Sequence, residues 1–172
     1  YDDLNGDGGR DPGEPGMGGV TVELINPTTG TVIATTITNA SGGYTFPNLT
    51  PGPYVVKEAL PVGFTNTTPN PVTLTAPAGG TAIADFGNQQ QGTVNGTVYN
   101  DKNGDGVQGA GEPGIPNVTV QLISATNNTV VGTTTTDANG DYYFGFVNPG
   151  PYVVKETTPS GYAPTTPTTV PV

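Results

Sequence analysis

Apolar residues occupy every second position of the stretch Val20-Thr-Val-Glu-Leu24. The pattern returns 98 residues later in Val118-Thr-Val-Gln-Leu122. Successive side chains of an extended chain point to opposite faces, so this alternation is typical of a β-strand with one buried face. The chain therefore predicts two equivalent strands whose apolar residues lie in a core: Val20, Val22, Leu24, Val118, Val120 and Leu122.

Short segments of similar character follow along the chain. Further strands are expected at residues 31–38, 43–46, 53–58, 72–75, 81–86 and 92–99. The 27 Gly and 18 Pro residues separate these segments, and none of them has the periodicity and caps of a helix. The pattern predicts an all-β fold, a sandwich of about seven strands in each domain.

The repeat extends through the loops as well as the strands. Pro51-Gly-Pro-Tyr-Val-Val-Lys-Glu58 returns as Pro149-Gly-Pro-Tyr-Val-Val-Lys-Glu156, again with an offset of 98 residues. A period of this length suits a small independent β domain rather than a solenoid repeat. We expect two tandem domains, residues 1–91 and 92–172, joined at the short linker 89–91.

Two loops carry a pattern typical of calcium ligands, D-x-N-x-D-G-x5-E, at residues 3–14 and 101–112. Calcium takes oxygen ligands at positions 1, 3, 5, 7, 9 and 12 of such a loop, with a backbone carbonyl at position 7 and glycine at the sharp bend. The predicted ligands are Asp3, Asn5, Asp7, the carbonyl of Gly9, Asp11 and Glu14 in the first loop, and Asp101, Asn103, Asp105, the carbonyl of Val107 and Glu112 in the second.

Each loop has a simpler interpretation as a pair of solvated Asx turns, since Asn, Asp and Gly form such turns without an ion. The density of acids in the first loop argues against it, because only Arg10 offsets them and crowded carboxylates repel unless a cation is present. The second loop is leaner, with Gly109 in the place of Asp11. We expect its affinity for calcium to be lower, or its ninth ligand to be water.

Composition excludes several classes of function. The chain has 14 acidic and four basic residues, a net charge of -10, which disfavours a nucleic-acid partner. It has no stretch of 18 apolar residues that could span a membrane. It has no Cys and no His, which excludes disulfides and leaves no nucleophile–base pair, so we do not expect an enzyme.

The order of motifs in the second copy resembles a known family. The motifs are Tyr-Asn-Asp101-Lys-Asn-Gly-Asp-Gly, Glu-Pro-Gly114, Thr-Asp137-Ala-Asn-Gly-Asp-Tyr-Tyr-Phe144 and Pro-Ser-Gly-Tyr162. They resemble the calcium-binding B-type repeats of serine-aspartate-repeat bacterial surface adhesins, within the collagen-adhesin B-type, prealbumin-like family. The resemblance covers essentially all of the chain. It implies extracellular, Ca²⁺-stiffened modules of a stalk, in prealbumin- or immunoglobulin-like sandwiches.

Relatives in the wider family form a Lys–Asn isopeptide bond between the first and last strands. Asn88 could supply the asparagine, but the segment 92–99 contains no lysine. Lys57 and Lys155 lie on another strand, beside Glu58 and Glu156, and are interpreted as surface lysines. Asp137 could lend an oxygen to calcium, but a turn residue is the preferred interpretation because Asn39 replaces it in the first copy.

Two functions from different classes remain. The first is a calcium-stabilised structural spacer of a secreted or cell-surface protein. The second is a ligand- or carbohydrate-binding module of an adhesin or secreted enzyme, with an exposed aromatic surface. The aromatic residues alternate with polar ones, which favours core positions and hence the spacer; they are Tyr44, Phe46, Tyr54, Phe64 and their counterparts in the second copy.

The preferred partners are neighbouring repeats of the same array. The first copy has no counterpart of residues 94–98 and the second has none of residues 75–91, so the sequence is interpreted as a two-period window on a longer array. The alternative is that separate chains complete one another head to tail, because an open sheet edge accepts an added strand.

Overall fold

The computed structural model describes all 172 residues, which fold into two compact units, Tyr1–Gln91 and Gly92–Val172. Both units consist of strands, turns and loops, and the tandem all-β architecture expected from the sequence is confirmed. No helix of the length and apolarity needed to cross a membrane is present.

Unit 1 contains six strands: β1 Thr21–Ile25, β2 Val32–Ile37, β3 Gly52–Glu58, β4 Phe64–Asn66, β5 Val72–Ala76 and β6 Asn88–Gln90. Four of them form an antiparallel sheet in the order β2-β1-β3-β5, and β4 pairs with β6 in a second, smaller sheet. The main sheet is held in register by the pairs Val22↔Glu58 and Leu24↔Val56.

Unit 2 also contains six strands: β7 Gly92–Thr97, β8 Thr119–Ser124, β9 Val130–Thr135, β10 Asp141–Val147, β11 Tyr152–Glu156 and β12 Thr169–Pro171. The main sheet has the order β12-β11-β8-β9, and β10 pairs with β7 in the second sheet. An irregularity after Leu122 in the β8–β9 pair matches the one after Leu24 in the β1–β2 pair, so the two copies repeat even this detail.

The core of each unit lies on the apolar face predicted from the alternation. Val22 and Leu24 are buried in unit 1, and Val120 and Leu122 are buried at the same places in unit 2. Burying one such side chain contributes about 1.5–3 kcal/mol to folding. Thr21 and Glu23, on the opposite face of β1, are only half-buried.

The expected strands at residues 43–46 and 81–86 are wrong for unit 1, which has six strands instead of about seven. In unit 2 the residues equivalent to 43–49 do form a strand, β10, because β7 lies beside them. Residues 1–91 contain no segment equivalent to β7, so residues 43–47 have no neighbour with which to form a ladder. Strands β4 and β6, of three residues each, lie outside the ranges predicted from the alternation.

The end of each acidic loop packs directly against a turn. A Cβ added to Gly16 would collide with the carbonyl of Ser41, and one added to Gly114 would collide with the carbonyl of Asn139. Glycine is therefore required at the Glu-Pro-Gly motif because two stretches of backbone meet there. This contact fixes the carboxyl end of each loop against its sandwich.

The Gly114 contact gives a stability prediction. Gly114→Ala is expected to destabilise unit 2 by about 1–3 kcal/mol, because the backbone of Asn139 cannot move away without disturbing its turn. Gly92→Ala is the matched control, since open space surrounds that position. Denaturant unfolding followed by hydrogen exchange in each unit measures the difference. Equal stability of the two variants would contradict the close packing.

Candidate metal centre

The first loop is organised by two carboxylates that accept backbone hydrogen bonds. The Oδ1 of Asp3 accepts from the N–H of Gly6 at 2.6 Å, and its Oδ2 accepts from the N–H of Gly8 at 2.8 Å. At the other end, Glu14 accepts from the N–H of Leu4 at 3.0 Å and from that of Asp11 at 2.9 Å. Both carboxylates are buried, so these bonds hold the loop closed from its first residue to its last.

The side chain of Asn5 lies between two further acids of this loop. Its Nδ2 donates to Oδ2 of Asp7 at 3.1 Å and to Oδ2 of Asp11 at 3.0 Å. The amide hydrogens carry partial positive charge, so they offset repulsion between these carboxylates. The Oδ1 of Asp7 also accepts from the N–H of Gly9, which fixes the predicted position 7 of the loop.

The second loop repeats most of this arrangement. Asp101 accepts from the N–H groups of Gly104 and Gly106, and Asn103 donates to Asp105 at 2.9 Å. The equivalent of the Gly9 contact is the N–H of Val107, which donates to Asp105 at 2.8 Å. Glu112 closes the loop by accepting from the N–H groups of Lys102 and Gly109.

The two loops differ at their ninth positions. Gly109 offers only its backbone where Asp11 offers a carboxylate, so Asn103 has no second acid to bridge. Lys102 also donates from Nζ to the carbonyl of Gly111 at 2.6 Å, which places a positive charge beside the second loop. The second loop therefore presents less negative charge to a cation than the first.

The donor atoms of the loops are oxygens, which suit a hard cation. The structure does not bring three acidic side chains close enough together to hold a metal ion between them. An ionised carboxylate has about four lone-pair sites, so Asp3 keeps acceptor capacity beyond its two backbone bonds. The amide of Asn5 presents nitrogen to Asp7 and Asp11, and rotation of this group would present its oxygen instead. In addition, the buried Oδ1 of Asp2, beside the first loop, has no hydrogen-bond partner.

The first carboxylate of each loop is held in its charged form. Burial alone would raise the pKa of Asp3, but the donors around it, among them the N–H groups of Gly8 and Gly6, outweigh that effect and lower the pKa. The same balance lowers the pKa of Asp101. Each group thus contributes stability above its ordinary pKa, and that contribution is lost as the pH falls through the lowered value.

Asp137 forms a turn. Its Oδ1 accepts from the N–H of Asn139 at 2.8 Å and from that of Asp141 at 3.0 Å. Asn39 makes the equivalent turn in unit 1, where its Oδ1 accepts from the N–H groups of Ser41 and Gly43. These turns are the ones against which the Glu-Pro-Gly motifs pack.

Most of the aromatic residues belong to the cores. Tyr44 and Phe46 meet edge to face at 5.9 Å between ring centroids, and Tyr142 and Phe144 do so at 6.1 Å. These four, with Tyr54 and Tyr152, pack on or within the buried clusters of the two units. Phe64 is half-buried, whereas its counterpart Tyr162 is exposed. The two units therefore do not share an exposed aromatic surface at equivalent positions.

Sequence reasoning missed a buried polar network in unit 1. Glu58 is 3% exposed, and its carboxylate accepts from Nδ2 of Asn66 at 2.7 Å and from Nδ2 of Asn88 at 3.1 Å. Burial raises the pKa of Glu58 in spite of these two bonds. The ionised carboxylate therefore costs stability at neutral pH. The cost shrinks as the pH falls through the raised pKa and is gone below the ordinary pKa of a glutamate.

The lysines beside this network lie on the other face of their strands. Lys57 follows the alternation of β3 and is exposed, whereas its neighbour Glu58 is buried. Lys155 is likewise exposed on β11. The amide of Asn88 thus faces a carboxylate, and the two lysines are surface residues as the alternation predicted.

The chain belongs to the SdrD B-like domain family. The sequence model of that family matches residues 1–80 and residues 92–170, which together make up more than half of the chain. The resemblance to the B-type repeats of serine-aspartate-repeat adhesins is thereby confirmed. Membership in this family of adhesin repeats places the chain outside the cell, at the cell surface or in secreted form.

Individual relatives are much longer proteins. The chain is 39% identical to serine-aspartate repeat-containing protein D of Staphylococcus aureus, in an alignment that covers 96% of this chain and 13% of that protein. It is 36% identical to serine-aspartate repeat-containing protein F of Staphylococcus epidermidis, with 96% and 11% covered. Among solved structures, a streptococcal ancillary pilin is 17% identical, with a TM-score of 0.45 and coverage of 94% of this chain and 55% of that one.

The Glu58 network predicts an effect of pH on a substitution. Asn88→Asp places a second carboxylate where the amide lies 3.1 Å from Glu58. Two carboxylates this close cannot both ionise without a large cost, so unit 1 is expected to melt at a lower temperature at pH 7 and to recover part of the loss near pH 4.5, where one shared proton can form a hydrogen bond.

Asn95→Asp is the control, because it adds the same charge at an exposed position of β7. Melting of both variants is compared with that of the parent chain at each pH. A loss in Asn88→Asp that does not change with pH would contradict a shared proton with Glu58.

Proposed function

We propose that the chain is a calcium-stabilised spacer, a stalk module of a secreted or cell-surface protein. The observation that supports this best is the pair of acidic loops, which fold alike in both copies and are closed by the same carboxylate-to-backbone bonds. Family membership supports the structural role, and the aromatic residues, packed mostly in the cores, favour a spacer over a ligand-binding module. No enzymatic activity is proposed.

Calcium is the proposed ion because the loops offer only oxygen ligands, which hard cations prefer. In the first loop Asp3, Asn5, Asp7, the carbonyl of Gly9, Asp11 and Glu14 would hold it; in the second, Asp101, Asn103, Asp105, the carbonyl of Val107 and Glu112 would do so. A bound Ca²⁺ supplies positive charge that the crowded carboxylates lack. Outside cells, sites with a Kd of about 10⁻⁴ to 10⁻³ M are still filled.

Backbone contacts to the sandwich hold both ends of the first loop. The first loop begins at Asp3, whose N–H donates to the carbonyl of Asn88 on β6, and it ends next to Gly16 at the turn of Ser41. An ion bound between these ends would join elements of the sandwich that are distant in sequence. A ligand that binds only the folded state stabilises it by RT ln(1 + [L]/Kd), about 2.7 kcal/mol at 100 Kd.

Neighbouring repeats of the same array are the proposed partners. The chain contains two family domains in tandem, and each has its own buried core. The stiffness of such an array would depend on the stability of every module in it. Calcium would then set the length of the stalk by keeping the modules folded under load.

Calcium binding is tested by titration of metal-free protein. Two sites are expected, the stronger in unit 1, because the first loop carries Asp11 where the second carries Gly109. Asp7→Ala should remove the stronger site and lower the melting temperature of unit 1 alone, and Asp105→Ala should do the same for the weaker site and unit 2. Each variant is the control for the other. Absence of any heat of binding, with melting unmoved by a chelator, would disprove the calcium proposal.

The spacer role is tested by pulling single molecules from both ends. Two unfolding events are expected, one per unit, and chelation should shift both to lower force. In Asp105→Ala, one event should already occur at the lower force in calcium, and the other should stay unchanged. Unfolding forces that do not respond to calcium would show that the metal has no mechanical role.

A further inference from the structure

An exposed phenylalanine of unit 2 has a backbone conformation that does not suit it. Phe146, on β10, has a φ of 54°, in the left-handed region that bulky side chains rarely adopt. The equivalent residue of unit 1 is Asn48, with a φ of 59°. Asparagine tolerates this conformation because its short polar side chain can bond to the nearby backbone. The two units thus share a backbone shape, and unit 2 places a strained residue in it.

A β-bulge accompanies this conformation and directs the side chain of Phe146 outward. The pairing of β10 with β7 skips from Phe144 to Val147, so two residues of β10 lie opposite one residue of β7. Bulges of this kind redirect side chains. Phe144 is buried in the core, whereas Phe146 is 65% exposed. The exposed ring adds little packing to offset the strain, and strain of this kind clusters at positions that contact ligands.

A second exposed aromatic side chain lies on the same strand. Tyr143 is 61% exposed. Its ring covers Gly145, because a Cβ added to that glycine would lie 2.9 Å from the Cε1 atom of the ring. The ring of Tyr143 therefore extends along β10 in the direction of Phe146. We call these two residues the aromatic pair.

The positions of the aromatic pair are exposed in both units. Thr45 and Asn48 occupy them in unit 1 and are exposed, although unit 1 contains residues 75–91, which have no counterpart in unit 2. Exposure is thus a property of these positions in the fold. Aromatic side chains occupy them in unit 2 alone.

The neighbours of the aromatic pair are polar and mostly uncharged. Asn95 lies opposite Tyr143 in the pairing of β7 with β10, Thr93 lies opposite the bulge, and both are exposed. Asp141 is the one charged residue of these two strands, and it accepts from the hydroxyl of Thr97 at 2.6 Å. The surface thus combines two aromatic rings with an amide and a hydroxyl, and it presents no cation to an anionic ligand.

The exposed area of the aromatic pair is that of a small-ligand site rather than of a protein interface. An aromatic side chain buries about 150–250 Å² when it is fully covered, so the partly exposed pair offers roughly 250 Å². A stable protein interface buries about 800 Å² on each partner. A pyranose ring presents a face of C–H groups, whose positive partial charge suits the negative face of an aromatic ring. Its hydroxyls can bond to neighbouring amide and hydroxyl groups.

We propose that Tyr143 and Phe146 form a binding site for a neutral β-1,4-linked glycan. Three residues of extended chain span at most about 10 Å, close to the length of a disaccharide, so sugar rings of one chain can stack on both aromatic rings. Asn95 and Thr93 would bond to hydroxyls at the edge of the glycan. The inference goes beyond the spacer role, since it gives unit 2 a ligand of its own. It involves none of the calcium ligands, so either proposal can fail without the other.

The test is titration of the 172-residue chain with cellohexaose and with chitohexaose, which are neutral β-1,4-linked oligosaccharides. Saturable binding of at least one is expected, with NMR shift changes at the amides of residues 143–146. The amides of residues 45–48 are the internal control, because they hold the equivalent positions without the aromatic pair. Tyr143→Thr, which places the residue of unit 1 in unit 2, should weaken binding about tenfold or more.

Phe146→Asn separates a binding role of the ring from a structural one. Binding should weaken about tenfold or more. The melting temperature of unit 2 should stay the same or rise, because asparagine tolerates the backbone conformation. A lower melting temperature of unit 2 in this variant would show that the ring serves the fold, and would overturn the proposal.

Two further results would also overturn it: no binding of either oligosaccharide, or equal binding by the parent chain and Phe146→Asn. A second copy of the chain in contact with the aromatic pair is the other possible occupant. It would appear in sedimentation as a dimer that Phe146→Asn dissociates and the oligosaccharides do not, and it would overturn the assignment to a glycan.

Discussion

The pairing of backbone N–H and C=O groups along strand edges is the constraint on which the rest of this structure depends. Residues 141–147 form a strand and the equivalent residues 43–49 do not, although the two segments share a tyrosine and a phenylalanine at equivalent positions. Where β7 is present, Phe144 is buried and the second sheet forms. Where no such strand lies alongside, a groove reaches the core. Two differences thus accompany the missing strand: no strand lies alongside, and Pro47, which cannot donate to a ladder, stands where unit 2 has Gly145.

The acidic loops depend on the same framework, because their ends are held by backbone contacts to the sandwich. Asp3 bonds to β6 through its N–H, and the backbone at Gly16 touches the turn at Ser41. With both ends fixed, the carboxylates of Asp3 and Glu14 can turn inward and accept backbone hydrogen bonds. The ordered loop is therefore a property of the folded unit, and an ion bound there would be coupled to folding.

The features that could be read from the sequence are those encoded locally or by repetition. Alternation located Val22, Leu24 and their counterparts in the cores, and the loop spacing located acids that the structure does bring into one loop. Two features could not be read in this way. The strands at 43–46 and 81–86 required a partner, and the Glu58 network joins three strands whose separation in sequence hides their contact. A glutamate at the end of an apolar strand, Val-Val-Lys-Glu58, was the available signal for burial.

Strand β6 connects these elements in unit 1. The backbone carbonyl of Asn88 accepts from Asp3 at the start of the acidic loop, and the side chain of Asn88 donates to the buried Glu58. In unit 2 the residues equivalent to Asp3 and Glu58, which are Asp101 and Glu156, line a small cavity of about 80 Å³. Burial raises the pKa of Glu156, and no asparagine amide donates to it as Asn88 does to Glu58. Asn88 thus links the start of the first loop to the buried carboxylate on β3, so a change at this one residue would act on both.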